Sequence, residues 1–307
     1  MKVVNQIIEE KYSLYLGDSC EVTKGLPDNS IHYSIFSPPF ASLYTYSNSE
    51  RDLGNCKTDK EFWEGFGFIV QELFRVMMPG RLVSIHCMNL PASKVRDGHI
   101  GLKDFRGDII RLFEKYGFIY HSEVVIWKDP VIAMQRTKAL GLLHKQLVKD
   151  SCMSRQGIPD YLVTMRKPGE NTEPVAGELQ YFAGDKTTFK STKKLSIDVW
   201  QRYASPVWMD INPSNTLQRE SAREEKDERH ICPLQLDVIE RGLQLWSNEN
   251  DVVLSPFMGI GSEGYVSIKT GRRFVGIELK ESYFNQAVKN LEKAKKQVNE
   301  NYLMDIK

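Results

Sequence analysis

The chain has 307 residues, 41% apolar and 26% charged, enough for a packed core in one large domain or a domain carrying an insertion. Lys and Arg number 41 against 40 Asp and Glu, so the net charge of +1 says little by itself. No apolar run nears the ~20 residues that cross a bilayer. The polar stretch Met1 to Tyr12 has no signal-peptide pattern, and the five scattered cysteines include no Cys-x-x-Cys pair. Membrane span, secretion, disulfide framework and structural metal site are therefore not expected, and a cytoplasmic location is.

Tyr12 to Leu16 reads as a short strand ending at Gly17-Asp18, and Leu26-Pro27-Asp28-Asn29-Ser30 as a turn. Ile31 to Phe36 is the next strand and runs into Ser37-Pro38-Pro39-Phe40. Ala41 to Asn55, rich in Ser, Tyr and Asn, reads as a mobile loop. Helical spacing of Phe62, Phe66, Ile69, Val70, Leu73, Phe74 and Met77 predicts a helix over Asp59 to Met78, stopped by Pro79-Gly80. Arg81 to Cys87 is a strand, Phe105 to Tyr116 a helix capped by Gly117, and Tyr120 to Trp127 a strand. This alternation predicts an α/β fold with a doubly wound, mostly parallel sheet.

From Lys128 to about Arg229 the alternation deteriorates, with one strand at Tyr161 to Met165, and the stretch reads as an inserted, partly irregular module. Between Arg136 and Lys167 its basic residues are Arg136, Lys138, Lys145, Lys149, Arg155, Arg166 and Lys167, against only Asp150 and Asp160. Such a local excess suits a phosphate backbone, and it also suits a solvated face. Regular alternation resumes with an amphipathic helix over Leu234 to Leu245 and a strand at Val252 to Leu254. A glycine loop, a helix to Thr270, a strand at Phe274 to Ile277 and a closing helix from Tyr283 to Val298 follow.

Two strand ends carry chemistry. In the late one, Ser255-Pro256-Phe257-Met258-Gly259-Ile260-Gly261-Ser262 opens a helix with glycines that let a ligand approach the backbone. Glu278, at the tip of the next strand, is placed to accept hydrogen bonds from two ribose hydroxyls. Pro256-Phe257 ahead of the glycines departs from the dinucleotide pattern, so a single nucleoside cofactor suits the loop better than NAD. In the early one, the prolines of Ser37-Pro38-Pro39-Phe40 stiffen the turn and withhold N–H donors. The Ser37 side chain and the Pro38 carbonyl can accept from an amino group, and Phe40 offers a face for stacking. Two acceptors on a delocalised amine aim its lone pair, which is catalysis by position.

Together the motifs resemble the amino-directed DNA methyltransferases, which act on N4 of cytosine or N6 of adenine. That family carries an (Asp/Asn/Ser)-Pro-Pro-(Tyr/Phe/Trp) tetrad and a Phe-x-Gly-x-Gly loop, here Ser37-Pro38-Pro39-Phe40 and Phe257-Met258-Gly259-Ile260-Gly261. The catalytic motif precedes the cofactor motif, as in the circularly permuted β group. The resemblance implies a Rossmann-like S-adenosylmethionine-dependent fold with a catalytic half over 1–127, a target-recognition insertion over 128–229 and a cofactor half over 230–307. It further implies that Asp18 meets the cofactor's adenine, that Ser255, Phe257, Gly259, Gly261, Ser262 and Glu278 line its site, and that double-stranded DNA is the partner. Arg136, Lys138, Lys145, Lys149 and Arg155 are the candidate DNA contacts. The resemblance implies that the target base is flipped and stacked on Phe40, that its amine attacks the cofactor methyl in line, and that no cysteine nucleophile is needed.

One residue departs from the pattern: Ser255 stands where the family usually has Asp. A leading Ser in the tetrad is commoner among cytosine-N4 enzymes, so N4 of cytosine is the favoured target and N6 of adenine the alternative. A DNA-binding protein on a weakened methyltransferase scaffold and an NAD-dependent oxidoreductase stay open as other readings. The recognition sequence and a restriction partner cannot be read from the chain, and a homodimer stays open.

Overall fold

The computed structural model describes residues 3–39, 53–56, 58–137, 157–175, 197–217 and 233–305. β1 (Asn5–Ile8) and β2 (Tyr12–Leu16) pair antiparallel, and α1 (Ser19–Thr23) and β3 (Ile31–Phe36) follow. A 3-10 turn at Leu53–Asn55 precedes α2 (Asp59–Val76), β4 (Met77–Met88), β5 (Leu90–Ala92), α3 (Lys94–Asp97), β6 (Gly101–Lys103), α4 (Phe105–Lys115) and β7 (Ile119–Ile126). The middle of the chain adds α5 (Pro130–Thr137), β8 (Asp160–Arg166), α6 (Ile197–Tyr203) and β9 (Val207–Trp208). The last part is α7 (Leu236–Trp246), β10 (Val252–Ser255), α8 (Ser262–Lys269), β11 (Arg273–Glu278) and α9 (Glu281–Asp305).

The main sheet runs β1-β2-β11-β10-β3-β4-β8-β7-β9, with β5 and β6 as a separate hairpin. β2, β11, β10, β3 and β4 are mutually parallel, while β1 and β8 run against their neighbours. From β10 the chain moves through α8 to β11 on one side, and from β3 through α2 to β4 on the other. The crevice outside the carboxyl ends of β10 and β3 is therefore a topological switch point, where open α/β sheets bind their ligands. Period-two alternation divides the core between the sheet's faces. Phe36, Val83, Ile85 and Cys87 meet α2 and α4 on one face, and Tyr33, Ile35, Val253 and Phe274 meet α7, α8 and α9 on the other.

The expected strands at 12–16 and 31–36 form with those bounds, and those at 252–254 and 274–277 form within one residue of theirs. Pro79-Gly80 does not stop α2. The helix ends at Val76 and passes directly into β4, whose interior holds both residues. Pro79 pushes the residue before it towards extended backbone, and Met77 is already extended at ψ 141°. Gly80, at φ +74°, donates its N–H to Lys167 O at 2.9 Å. β1 and the β5–β6 hairpin went unpredicted, β1 because it is an exposed edge strand without an apolar face.

Strands β8 and β9 arise inside the stretch expected as an insertion, yet both belong to the main sheet, β8 between β4 and β7. The segment around β9 is also fixed to α7. Arg241 lies between the rings of Tyr203 and Trp208, 5.0 and 5.1 Å from their centroids, and donates to Asp210 at 2.8 Å. Residues 41–52, expected as a loop, lie outside the described residues.

At the amino ends of the central strands a buried polar knot ties distant segments together. Arg81, 2% exposed, donates to the His32 carbonyl at 2.8 Å, to the Glu173 carbonyl and to the Asp251 carboxylate. His32 accepts the Val252 N–H on Nδ1 at 3.2 Å and faces Glu173 with Nε2 at 3.1 Å. His32, Glu173 and Asp251 cluster like metal ligands, but the Arg81 cation already lies on this carboxylate and the backbone N–H occupies one imidazole nitrogen. The group therefore reads as a strand-joining ion network. Removing one partner leaves a buried charge uncompensated. Arg81→Met should lower unfolding stability in urea by about 3–5 kcal/mol, and Arg81→Met with Asp251→Asn should recover part of that loss.

Candidate active site

The late motif is held open by its own backbone. Met258 N–H donates to Ile277 O at 3.0 Å, Gly261 N–H to Met258 O at 2.8 Å, and Asn290 Nδ2 to Ile260 O at 2.8 Å, so β11 and α9 fix the loop from both sides. Gly259 and Gly261 have φ of +51° and +84°, a region that glycine enters without strain. The two glycines differ in what surrounds them. A Cβ on Gly261 would lie 2.8 Å from Leu291 Cδ1, whereas one on Gly259 would meet nothing within 4 Å. Gly261 is needed for packing against α9, and Gly259 faces open space.

Glu278 ends β11 beside this loop. Its Oε2 accepts the Gly259 N–H and its Oε1 the Lys280 N–H, both at 2.9 Å. These backbone bonds orient the carboxylate, and each of its oxygens has a pair of acceptor sites. Asp18 lies at the next strand end, since β2 pairs with β11 through Leu16 and Glu278. It caps α1 by accepting the Glu21 N–H at 3.1 Å. Its neighbour Ser19 donates to Pro256 O at 2.5 Å, tying this turn to the late motif. Phe257 packs on Phe36 and Phe66, with ring centroids 5.7 and 6.2 Å away.

Ser255 is fully buried, and its Oγ has no hydrogen-bond partner among the described residues. Ser262 opens α8 and is also buried. Next to it Glu263, 4% exposed, has its carboxyl lifted to about 8: burial dominates, its own backbone hydrogen bond opposes and the Glu278 charge adds.

The early motif meets a second group of residues across the sheet. Phe36 pairs with Ile85 in parallel register, which sets Ser37 beside His86. Ser37 Oγ lies 2.9 Å from His86 Nδ1. His86 Nε2 lies 3.3 Å from Asp160 Oδ2, close enough for an ion pair but off the line of a straight hydrogen bond, and it has no other partner among the described residues. Asp160 Oδ1 pairs with Lys128. Burial would raise the Asp160 carboxyl, but Lys128 and His86 outweigh it and hold it below its ordinary value. β8 opens on Asp160 and runs antiparallel to β4 and β7, so its first residue falls at their carboxyl ends.

The structure thus brings Ser37, Pro38 and Pro39 to the same sheet edge as Asp18, Ser255, Phe257, Gly259, Gly261, Ser262 and Glu278. Phe40, Lys138, Lys145, Lys149 and Arg155 lie outside the described residues, and Arg136 falls on α5. Sequence reading missed His86, Asp160 and Lys128. A histidine one step beyond the apolar part of the strand beside the tetrad was the available signal. The nearby thiols are not poised as nucleophiles, since burial pushes Cys20 to about 12 and raises Cys87 well above its usual range.

Glu263 makes stability depend on pH. An unfolded chain ionises this carboxyl near 4.5, whereas the folded protein holds its proton to about 8. Between those values the folded state binds the extra proton, so stability falls as pH rises through the window and levels off above it. Glu263→Gln should gain over wild type from pH 5 to pH 8 in denaturant melts, by on the order of a few kcal/mol at the upper end. Parallel stability profiles would show that Glu263 ionises normally.

The profile of a family described as DNA methylase, of the N6/N4 group, matches residues 31–289. The Type II methyltransferase M.BglII of Bacillus subtilis is 25% identical over 278 residues, 89% of this chain and 67% of that protein. Among solved structures, the PvuII cytosine-N4-specific DNA methyltransferase superposes with a TM-score of 0.63 at 15% identity, covering 97% of this chain and 95% of that one. A Thermus thermophilus protein, TTHA0409, in complex with S-adenosyl-L-methionine gives 0.62 at 20% identity, covering 92% and 95%. These superpositions identify the fold as that of the S-adenosylmethionine-dependent methyltransferases, and the match over residues 31–289 makes this chain a member of the N6/N4 DNA methylase family.

Proposed function

We propose that the chain transfers a methyl group from S-adenosylmethionine to the exocyclic amine of a flipped base in double-stranded DNA, with N4 of cytosine as the target. The observation that carries this reading is the Ser37 hydroxyl, one residue beyond β3 on the strand edge that also bears the glycine loop, with an imidazole nitrogen 2.9 Å away. A hydroxyl in that setting can accept from an amine hydrogen and aim the nitrogen lone pair. The leading Ser of the tetrad favours cytosine over adenine, the remaining alternative.

The residues present fit the cofactor. Open space above Gly259 accommodates a ligand against the backbone, the Glu278 carboxylate beside it suits ribose hydroxyls, and Asp18 stands at the neighbouring strand end. When bound, S-adenosylmethionine supplies an electrophilic methyl group on a cationic sulfur. Phe257 and Ser19 hold the late motif against the core, so the loop keeps its shape before any ligand arrives. Ser37 and the Pro38 carbonyl take the amine hydrogens, and Phe40 stacks on the base. Arg136, Lys138, Lys145, Lys149 and Arg155 form the phosphate track in this reading.

A second reading, a DNA-binding scaffold with weak activity, is favoured by Ser255. Its buried, unpartnered hydroxyl stands where the family usually has a carboxylate. Nucleoside mass spectrometry on DNA from a methylation-free host expressing the chain separates the readings. N4-methylcytosine absent from a Ser37→Ala control is the expected result, N6-methyladenine would change the target, and neither base would favour the scaffold. Glu278→Ala should weaken S-adenosylmethionine binding by roughly 10- to 100-fold in calorimetry. Unchanged affinity would remove Glu278 from the ribose.

A further inference from the structure

The arrangement behind Ser37 has the form of a proton relay. Asp160 is 4% exposed and spends one oxygen on each neighbour, Oδ1 on Lys128 and Oδ2 towards His86 Nε2. No hydrogen bond joins them, but an ionised carboxylate 3.3 Å away attracts an N–H and repels a lone pair, which favours the imidazole proton on Nε2. Nδ1 is then the acceptor, and the Ser37 hydroxyl is the group that donates to it. With its one hydrogen committed inward, Ser37 has only lone pairs left to offer the crevice. A free hydroxyl would rotate and donate as readily as accept, which would not select for an amine.

We propose that His86, held by Asp160, is a positioning residue that commits Ser37 to accepting from the target amine and then takes up the proton that this amine sheds. The proposal rests on the function set out above. As the amine lone pair forms the new nitrogen–carbon bond, the bond from that carbon to its leaving sulfur breaks with the electron pair on sulfur. The nitrogen, now cationic, passes its N–H proton to Ser37 Oγ while the Ser37 hydrogen moves to His86 Nδ1. An imidazolium results, facing the Asp160 carboxylate, and release of the Nδ1 proton to water restores the starting state.

The surroundings support this direction of flow. Lys128 is the fixed cation that keeps Asp160 ionised against its burial. His86 shares a face with Ser84, whose hydroxyl is already paired with Thr164 at 2.9 Å and does not compete for the imidazole. The other charged groups near this end of β4, among the described residues, are Asp104 and the Arg106–Glu123 pair from α4 and β7. Arg106 Nη1 bonds both Glu123 oxygens at 2.8 Å, so the two charges engage each other.

The test is single-turnover methylation of a DNA duplex by the purified full chain, followed against pH, with calorimetry for the cofactor and nitrogen-15 NMR for the His86 tautomer. In wild type the rate should rise with pH through one ionisation and level off, and the ligand-free protein should show the Nε2–H tautomer. His86→Ala should lower the plateau by roughly 100-fold with cofactor affinity unchanged. His86→Asn, whose amide oxygen can stand near the Nδ1 position, should recover part of the plateau and lose the rise with pH. Asp160→Asn should shift the Nε2 proton signal. A wild-type profile in His86→Ala, a retained rise in His86→Asn or an Nδ1–H tautomer would overturn the relay. Wild-type protein that methylates no base would instead sink the functional reading, while the tautomer would still decide the hydrogen-bond arrangement.

Discussion

The cleft depends on the parallel pairing of β10 with β3, through Val253 with Tyr33 and Leu254 with Ser34. The chain's early and late motifs become neighbours only through this pairing. Parallel register makes β3 and β10 end at the same edge, so Ser37 and Ser255 need no further device to face one crevice. The Arg81 knot secures the other end of the same strands, joining β4 to residues just ahead of β10 and just after β8. One end of the sheet is closed by buried charge, and the other is left open for ligands.

In the function proposed above, the open end is divided by task. Glycines, Glu278 and Asp18 come from β10, β11 and β2 and present backbone N–H groups and carboxylates. Ser37, His86 and Asp160 come from β3, β4 and β8 and present a chain of proton carriers. The division explains why the two halves differ in sequence character. The cofactor side needs backbone geometry, which glycine and proline write plainly into a sequence. The amine side needs side chains from strands that are distant along the chain, and pairwise register brings them together.

The same distinction explains what sequence reading could see. β2, β3 and β10 were legible because strands covered on both faces read as near-continuous apolar runs. The loop at Gly259 was legible because glycines at left-handed backbone positions after a strand mark a turn. β8 was legible as a strand at Tyr161 to Met165 within the inserted stretch, but nothing local in Asp160–Arg166 says that it pairs with β4. Asp160 had been counted only as an acidic exception in a basic stretch, and His86 as part of an ordinary strand. Met77 and Met78 looked helical by spacing, and the proline after them decided otherwise.

The pairing of β2 with β11 carries a consequence for synthesis. Tyr12 meets Phe274, about 260 residues later. Until residues 233–305 leave the ribosome, β2 has no parallel partner, β3 has only β4, and the apolar face above Tyr33 and Ile35 lacks α7, α8 and α9. Long-range parallel pairing of this kind is slow to form and exposes strand edges to other chains while it waits. Slower translation of residues 233–305 lengthens the interval over which these edges stay open.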